Sequence, residues 1–126
     1  MSTLSSEFNG AKIAGFISSW MNDYADTANI DSFVVGVSGG IDSALTSTLC
    51  ALTGKPVMVL EMPIHQAASQ VSRAQQHIAW LKQHFPLVSD ARVDLTPTYE
   101  LMMQSMGAIA NDDHLQQLTT ANTRAR

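Results

Sequence analysis

The sequence contains one cysteine, Cys50. A disulfide framework is therefore excluded, and so is a cysteine-rich zinc site. Its histidines, His65, His77, His84 and His114, show no paired metal spacing. No stretch approaches the roughly eighteen apolar residues that a membrane-spanning helix needs. Lys and Arg never cluster and the formal net charge is −4, which argues against a nucleic-acid footprint. The opening MSTLSSEFNG has neither a basic nor an apolar region, so it is no secretory signal. A cytoplasmic protein is the expectation.

What is present fits a globular domain. Hydrophobic residues make up 45% of the chain and charged ones 14%, which argues against disorder. The 126 residues suit a single domain, 1–126. A chain of that length buries roughly two-thirds of its unfolded surface, so a core needs no staples.

Residues 7–28 read as an amphipathic helix, with Ile13, Phe16, Ile17, Trp20, Met21 and Tyr24 at helical spacing. That stripe is expected to face the core; a subunit interface is the alternative. Residues 33–37 (FVVGV) form a short apolar run typical of a buried strand. A second helix starts at Ile41, with Ala44, Leu45, Thr48, Leu49 and Leu52 on its stripe, and Gly54 and Pro56 stop it. Cys50 lies beside this stripe and reads as a packing residue. Val57–Met62 is a second strand, ended by Pro63. Residues 67–84 are helical through Val71, Ala74, Ile78 and Leu81, with Phe85 beyond. Residues 91–95 (ARVDL) alternate as a third strand. Pro97 suits the first turn of a further helix carrying Tyr99, Met102, Met103, Met106 and Ile109. The tail from Asn111 is polar.

This alternation predicts an α/β fold with a parallel sheet and right-handed crossovers. Ligands in such sheets bind beyond the carboxyl ends of the strands. The expected ends are Val37, Met62 and Leu95.

The loop after the first strand carries the chemistry. Gly39 and Gly40 allow positive φ and close approach of backbone to a ligand. The loop runs into a helix N-terminus, whose N–H groups and dipole favour an anion. Ser38 and Ser43 add hydroxyl donors. Asp42 would repel bare phosphate, but it fits if Mg²⁺ lies between, since Mg²⁺ uses one or two carboxylates plus phosphate oxygens. The pattern is neither Walker A nor a dinucleotide fingerprint. An ordinary glycine-rich turn with Asp42 as helix cap is the plain alternative. Gly36-Val37-Ser38-Gly39-Gly40 also satisfies the nucleophile elbow G-x-S-x-G, with Asp94 and His114 as possible partners of Ser38.

The run SGGIDS resembles the signature of the N-type ATP pyrophosphatases. Within that group the chain resembles ammonia-dependent NAD synthetase. The run VVGVSGGIDSALTSTL, the pair Met62-Pro63 and the tail Asn122-Thr123-Arg124-Ala125-Arg126 carry the resemblance. Ala121 departs from the glycine usual there. The resemblance covers nearly the whole chain but only the front portion of the family. It implies a Rossmann-like, adenine nucleotide alpha-hydrolase-like fold. It also implies ATP held by Gly36, Val37, Ser38, Gly39, Gly40, Ile41, Asp42 and Ser43, with Mg²⁺ on Asp42. Arg124 or Arg126 would meet deamido-NAD. Apart from the resemblance, the histidines read as surface or packing residues, and His65, following Pro63 at a strand end, is placed to border the nucleotide site. The implied reaction is ATP-dependent amidation of deamido-NAD by ammonia, without a covalent catalytic residue, in a homodimer. Another N-type ATP pyrophosphatase, GMP synthetase-like or tRNA-modifying, stays open. So does a nucleotide-binding module without turnover.

Overall fold

The computed structural model describes residues 9–107. The order is α1 (Gly10–Thr27), β1 (Phe33–Gly36), α2 (Ile41–Leu52), β2 (Val57–Glu61), α3 (Ala68–His84), β3 (Val88–Arg92) and α4 (Thr96–Met106). The strands form one parallel sheet in the order β1-β2-β3. Phe33 pairs with Val57, Gly36 with Leu60, and Glu61 with Arg92. The α/β expectation holds.

The third strand begins earlier than the sequence suggested, at Val88 rather than residue 91. It is an edge strand among the described residues, and of its five residues only Val88 is buried. Its apolar alternation is therefore faint. The backbone ladder nonetheless runs on, with Val93 N–H donating to Glu61 O at 2.8 Å and Leu95 N–H to Pro63 O at 3.0 Å. The 91–95 reading caught this trailing half.

The core lies between the sheet and α2 with α3. Val57, Val59 and Val88 meet Cys50, Ala51, Ala74, Ile78 and Leu81, with Phe33, Val35 and Phe85 at the margin. Removing apolar area from water contributes about 25 cal/mol per Å², so this cluster is the main stabilising feature. The α3 stripe behaves as its spacing predicts. The α2 stripe does not: Ser47, Cys50 and Ala51 turn inward, while Ile41 and Leu45 are 80% and 58% exposed. Cys50 is a buried packing residue, and burial pushes its thiol pKa up.

The α1 stripe also departs from expectation. Phe16, Trp20 and Tyr24 are 74%, 60% and 61% exposed. The helix docks on α2 through small and polar groups instead. Ser18 is buried, its hydroxyl 3.5 Å from Leu49 O, and Asn22 Nδ2 donates to Thr53 O at 2.9 Å. Lys55 and Asp26 pair at 2.6 Å near the end of the helix. The core-facing reading holds for Met21, which packs against the core, and is corrected for Phe16, Trp20 and Tyr24, which face outward with Trp20 stacked on Tyr24.

Candidate functional site

The residues expected to bind ATP occupy the turn from β1 into α2. Val37 is buried and its N–H donates to Leu60 O at 2.8 Å, anchoring the loop to the sheet. Beyond it the chain leaves the ladder. Ser38 N–H donates to Ser43 Oγ at 3.1 Å, and the two hydroxyls lie 3.2 Å apart. Gly40 N–H donates to Ser38 Oγ at 3.3 Å, and Ser43 Oγ donates to Gly40 O at 3.3 Å. The serines thus brace the loop from within as well as offering hydroxyls.

Gly40 is the N-cap of α2, and no side chain caps the helix. The first backbone bond of the helix is Ala44 N–H to Gly40 O, at 3.3 Å. The N–H groups of Ile41, Asp42 and Ser43 precede it, as the orphan donors of a helix N-terminus do. An uncapped N-terminus beyond a strand end is a place for an anion, stabilised by those donors and the helix dipole.

Gly39 is required for its conformation and its surroundings. Its φ is +93°, and a Cβ there would stand 2.4 Å from the Gln70 carbonyl oxygen. The loop and α3 touch at this point with backbone against backbone.

Asp42 lies in the first turn of α2. Its side chain is exposed and joins no ion pair among the described residues. No group of three His, Cys, Asp or Glu residues that could hold a metal exists among the described residues. The described residues by themselves therefore do not form a cation site of several side chains. Mg²⁺ held by one carboxylate with phosphate oxygens and waters does fit.

Two cavities flank the loop. One, of about 180 Å³, is lined by Gly36, Val37, Ser38, Ser43, Leu60, Met62 and Gln66, at the carboxyl ends of β1 and β2. The other, of about 450 Å³, is lined by Val37, Gly39, Gly40, Ile41, Ala44, Arg73 and His77. His77 Nε2 lies 3.0 Å from the Ser47 hydroxyl, and burial lowers its pKa.

Of His65 and Gln66, it is Gln66 that lines the smaller cavity. His65 has φ +46° and is tied to α4. Its N–H donates to Thr96 Oγ1 at 3.3 Å, and its Nε2 lies 3.5 Å from Glu100 Oε1. The nucleophile-elbow reading gains nothing. Ser38 Oγ is partnered by Ser43 and Gly40, with no histidine on it among the described residues. Asp94 accepts from the Thr96 N–H at 2.9 Å, and this bond holds its carboxyl below the usual range. His114, Arg124 and Arg126 lie outside the described residues.

Sequence reasoning missed Arg73, Gln70 and Gln66. They sit on or just before the polar face of α3, where periodicity carries no information. Only the packing of α3 against the loop brings them forward.

A parallel sheet with an anion-receptive turn beyond its first strand defines a nucleotide-binding α/β domain. The NAD synthase family model matches residues 13–126. The chain belongs to the NAD synthase family. It is 31% identical over 105 residues to an NH(3)-dependent NAD(+) synthetase of Mannheimia succiniciproducens, covering 82% of this chain and 40% of that relative. The structure of NMN synthetase from Francisella tularensis matches at TM-score 0.72 and 26% identity, covering 79% of this chain and 40% of that one. NAD+ synthetase from Burkholderia pseudomallei shares the fold at TM-score 0.76 and 23% identity, covering 94% and 54%. The chain thus spans about 40% of the length of the curated relative from Mannheimia.

Proposed function

We propose that this chain is the ATP-pyrophosphate-binding portion of a C–N bond-forming ligase that amidates deamido-NAD with ammonia to give NAD. The uncapped start of α2, opened by Gly39 and Gly40 beyond β1, is the observation that carries the reading. Family membership supports it. Turnover is assigned to the whole family domain, of which these residues are one part.

In this reading the substrate carboxylate attacks the α-phosphorus of ATP, and pyrophosphate leaves. Ammonia then attacks the acyl carbon of the adenylate, gives up a proton, and AMP leaves. The chain's part is positioning and charge stabilisation. Gly36, Val37, Ser38, Gly39, Gly40, Ile41 and Ser43 shape the phosphate site, and Asp42 holds Mg²⁺. Arg124 and Arg126 are assigned to deamido-NAD. No helix among the described residues is long and apolar enough to cross a membrane; we place the protein in the cytoplasm. We assign the exposed Phe16, Trp20 and Tyr24 to a homodimer contact. Sedimentation should then show a dimer that Trp20→Glu dissociates; a wild-type monomer at high concentration removes this assignment.

Calorimetry tests the site. Asp42→Ala should weaken MgATP binding at least about tenfold, as loss of a carboxylate from the cation implies. Equal affinity in both proteins would sink the metal role. Binding of deamido-NAD separates this reading from that of other ATP pyrophosphatases. Absence of MgATP binding in the wild type removes the reading altogether.

A further inference from the structure

The loop is held from its side by α3. Gly39 rests against the Gln70 carbonyl, as the 2.4 Å approach of a notional Cβ shows. One turn further along, Arg73 Nε donates to Gly39 O at 3.3 Å. The opposite end of the same peptide is fixed too, because Gly40 N–H donates to Ser38 Oγ at 3.3 Å. A trans peptide points its C=O and N–H in opposite directions. Drawing the Gly39 oxygen toward α3 therefore keeps it from facing an anion at the start of α2.

Charge gives Arg73 a second role. The loop contains no Lys or Arg, and Asp42 adds a negative charge. Lys55, Lys82 and Arg92 are paired with Asp26, Asp90 and Glu61. Arg73 forms no ion pair among the described residues. It lines the cavity of about 450 Å³ together with Gly39, Gly40 and Ile41. A guanidinium carries five N–H donors in a fixed fork, so the Nε bond leaves the Nη groups for another acceptor.

We propose that Arg73 is the cationic residue of the polyphosphate site, its Nε setting the Gly39–Gly40 peptide and its Nη groups meeting a phosphate oxygen. This rests on reading the loop as an ATP-pyrophosphate site. The ligand class is a Mg²⁺-bound pyrophosphate or nucleoside triphosphate. A nucleoside monophosphate, lacking the outer phosphates, is indifferent to Arg73.

Calorimetry on the full chain with magnesium pyrophosphate, MgATP and AMP tests this. Arg73→Ala is expected to weaken pyrophosphate and ATP at least about tenfold and AMP less than about twofold. Arg73→Lys restores charge without the fork and falls between. Wild-type affinity for pyrophosphate should drop more steeply with salt than that of Arg73→Ala. Arg73→Gln keeps a donor for Gly39 without the charge, and it should lose pyrophosphate affinity even if Arg73→Ala folds poorly. Unchanged pyrophosphate affinity in both neutral variants overturns the proposal. So does an equal loss for AMP, which marks a structural role only. A wild-type protein that binds neither pyrophosphate nor ATP removes the loop reading itself, and Arg73's role falls with it.

Discussion

Helices α1 and α3 carry apolar stripes of the same period and end up in opposite situations. Ala74, Ile78 and Leu81 of α3 close onto Val57, Val59 and Val88. Phe16, Trp20 and Tyr24 of α1 face outward, and Ser18, Asn22 and Ala25 make that helix's inward side. The period of a stripe says that an apolar face exists. It does not say which surface covers it. The α1 stripe is the larger in side-chain area, yet of its residues only Met21 packs against the core.

The sharpest test of that contrast is a pair of truncations. Leu81 is fully buried, so Leu81→Ala should lower unfolding free energy by about 2–5 kcal/mol. Trp20→Ala, measured at low protein concentration, should change it by less than about 0.5 kcal/mol. Urea unfolding of both variants decides. Comparable losses would mean that the α1 stripe is covered within the chain.

The contrast also separates two glycines at positive φ. Gly39 has φ +93° and the Gln70 carbonyl beside it; Gly54 has φ +79° and open space. Gly54→Ala should cost about 1–2 kcal/mol, the usual penalty for an L residue in that region. Gly39→Ala adds a backbone clash and should cost about 1–3 kcal/mol more, with MgATP binding lost. Equal thermal shifts for the two variants would show that α3 does not brace the loop.

Next comes the charge at the edge of the α3 core. Glu61 is buried, pairs with Arg92 across the β2–β3 register at 3.4 Å, and leaves Oε2 without a hydrogen-bond partner among the described residues. Arg92 is half exposed, so water offsets part of its loss. Arg92→Ala should destabilise by about 1–2 kcal/mol, below the range for a fully buried pair. Glu61→Met, which removes the charge and fills similar volume, should be neutral or stabilising. A large loss in Glu61→Met would show that this carboxylate stabilises the fold.

How much was legible follows the same division. The strand–loop–helix unit at Phe33–Leu52 is local, and its glycines, strand and helix start are all visible as residue types. Its position at a strand end needed only the alternation of elements. β3 was misplaced because an edge strand has little apolar pattern to show. The α2 face was misjudged because Ser47 and Ala51 go inward as small residues under tight packing, while Ile41 and Leu45 stay out. Arg73 and Gln70 became visible only when α3 was laid against the loop, a contact between segments some thirty residues apart.

The smallest expected effect concerns His77, where α3 meets α2. Ser47 has one hydroxyl proton, and Ser43 O lies 2.7 Å away as its acceptor. The His77 Nε2 lies 3.0 Å from the same oxygen, and it donates there when Ser47 gives its proton to Ser43 O or Ala44 O. Burial lowers the folded-state pKa, and the bond to the Ala44 backbone opposes it more weakly. Above the unfolded value of about 6.5 the ring is neutral in both states, and its contribution to stability is complete. Below that, the unfolded chain takes up a proton that the folded chain resists. Stability should fall with pH until the folded-state pKa is passed, and then level off for this group. His77→Gln keeps a donor for Ser47 and removes the titration. Thermal melts from pH 7.5 to 5 should therefore show a shallower decline in His77→Gln than in the wild type. Parallel declines would assign the acid sensitivity to other groups.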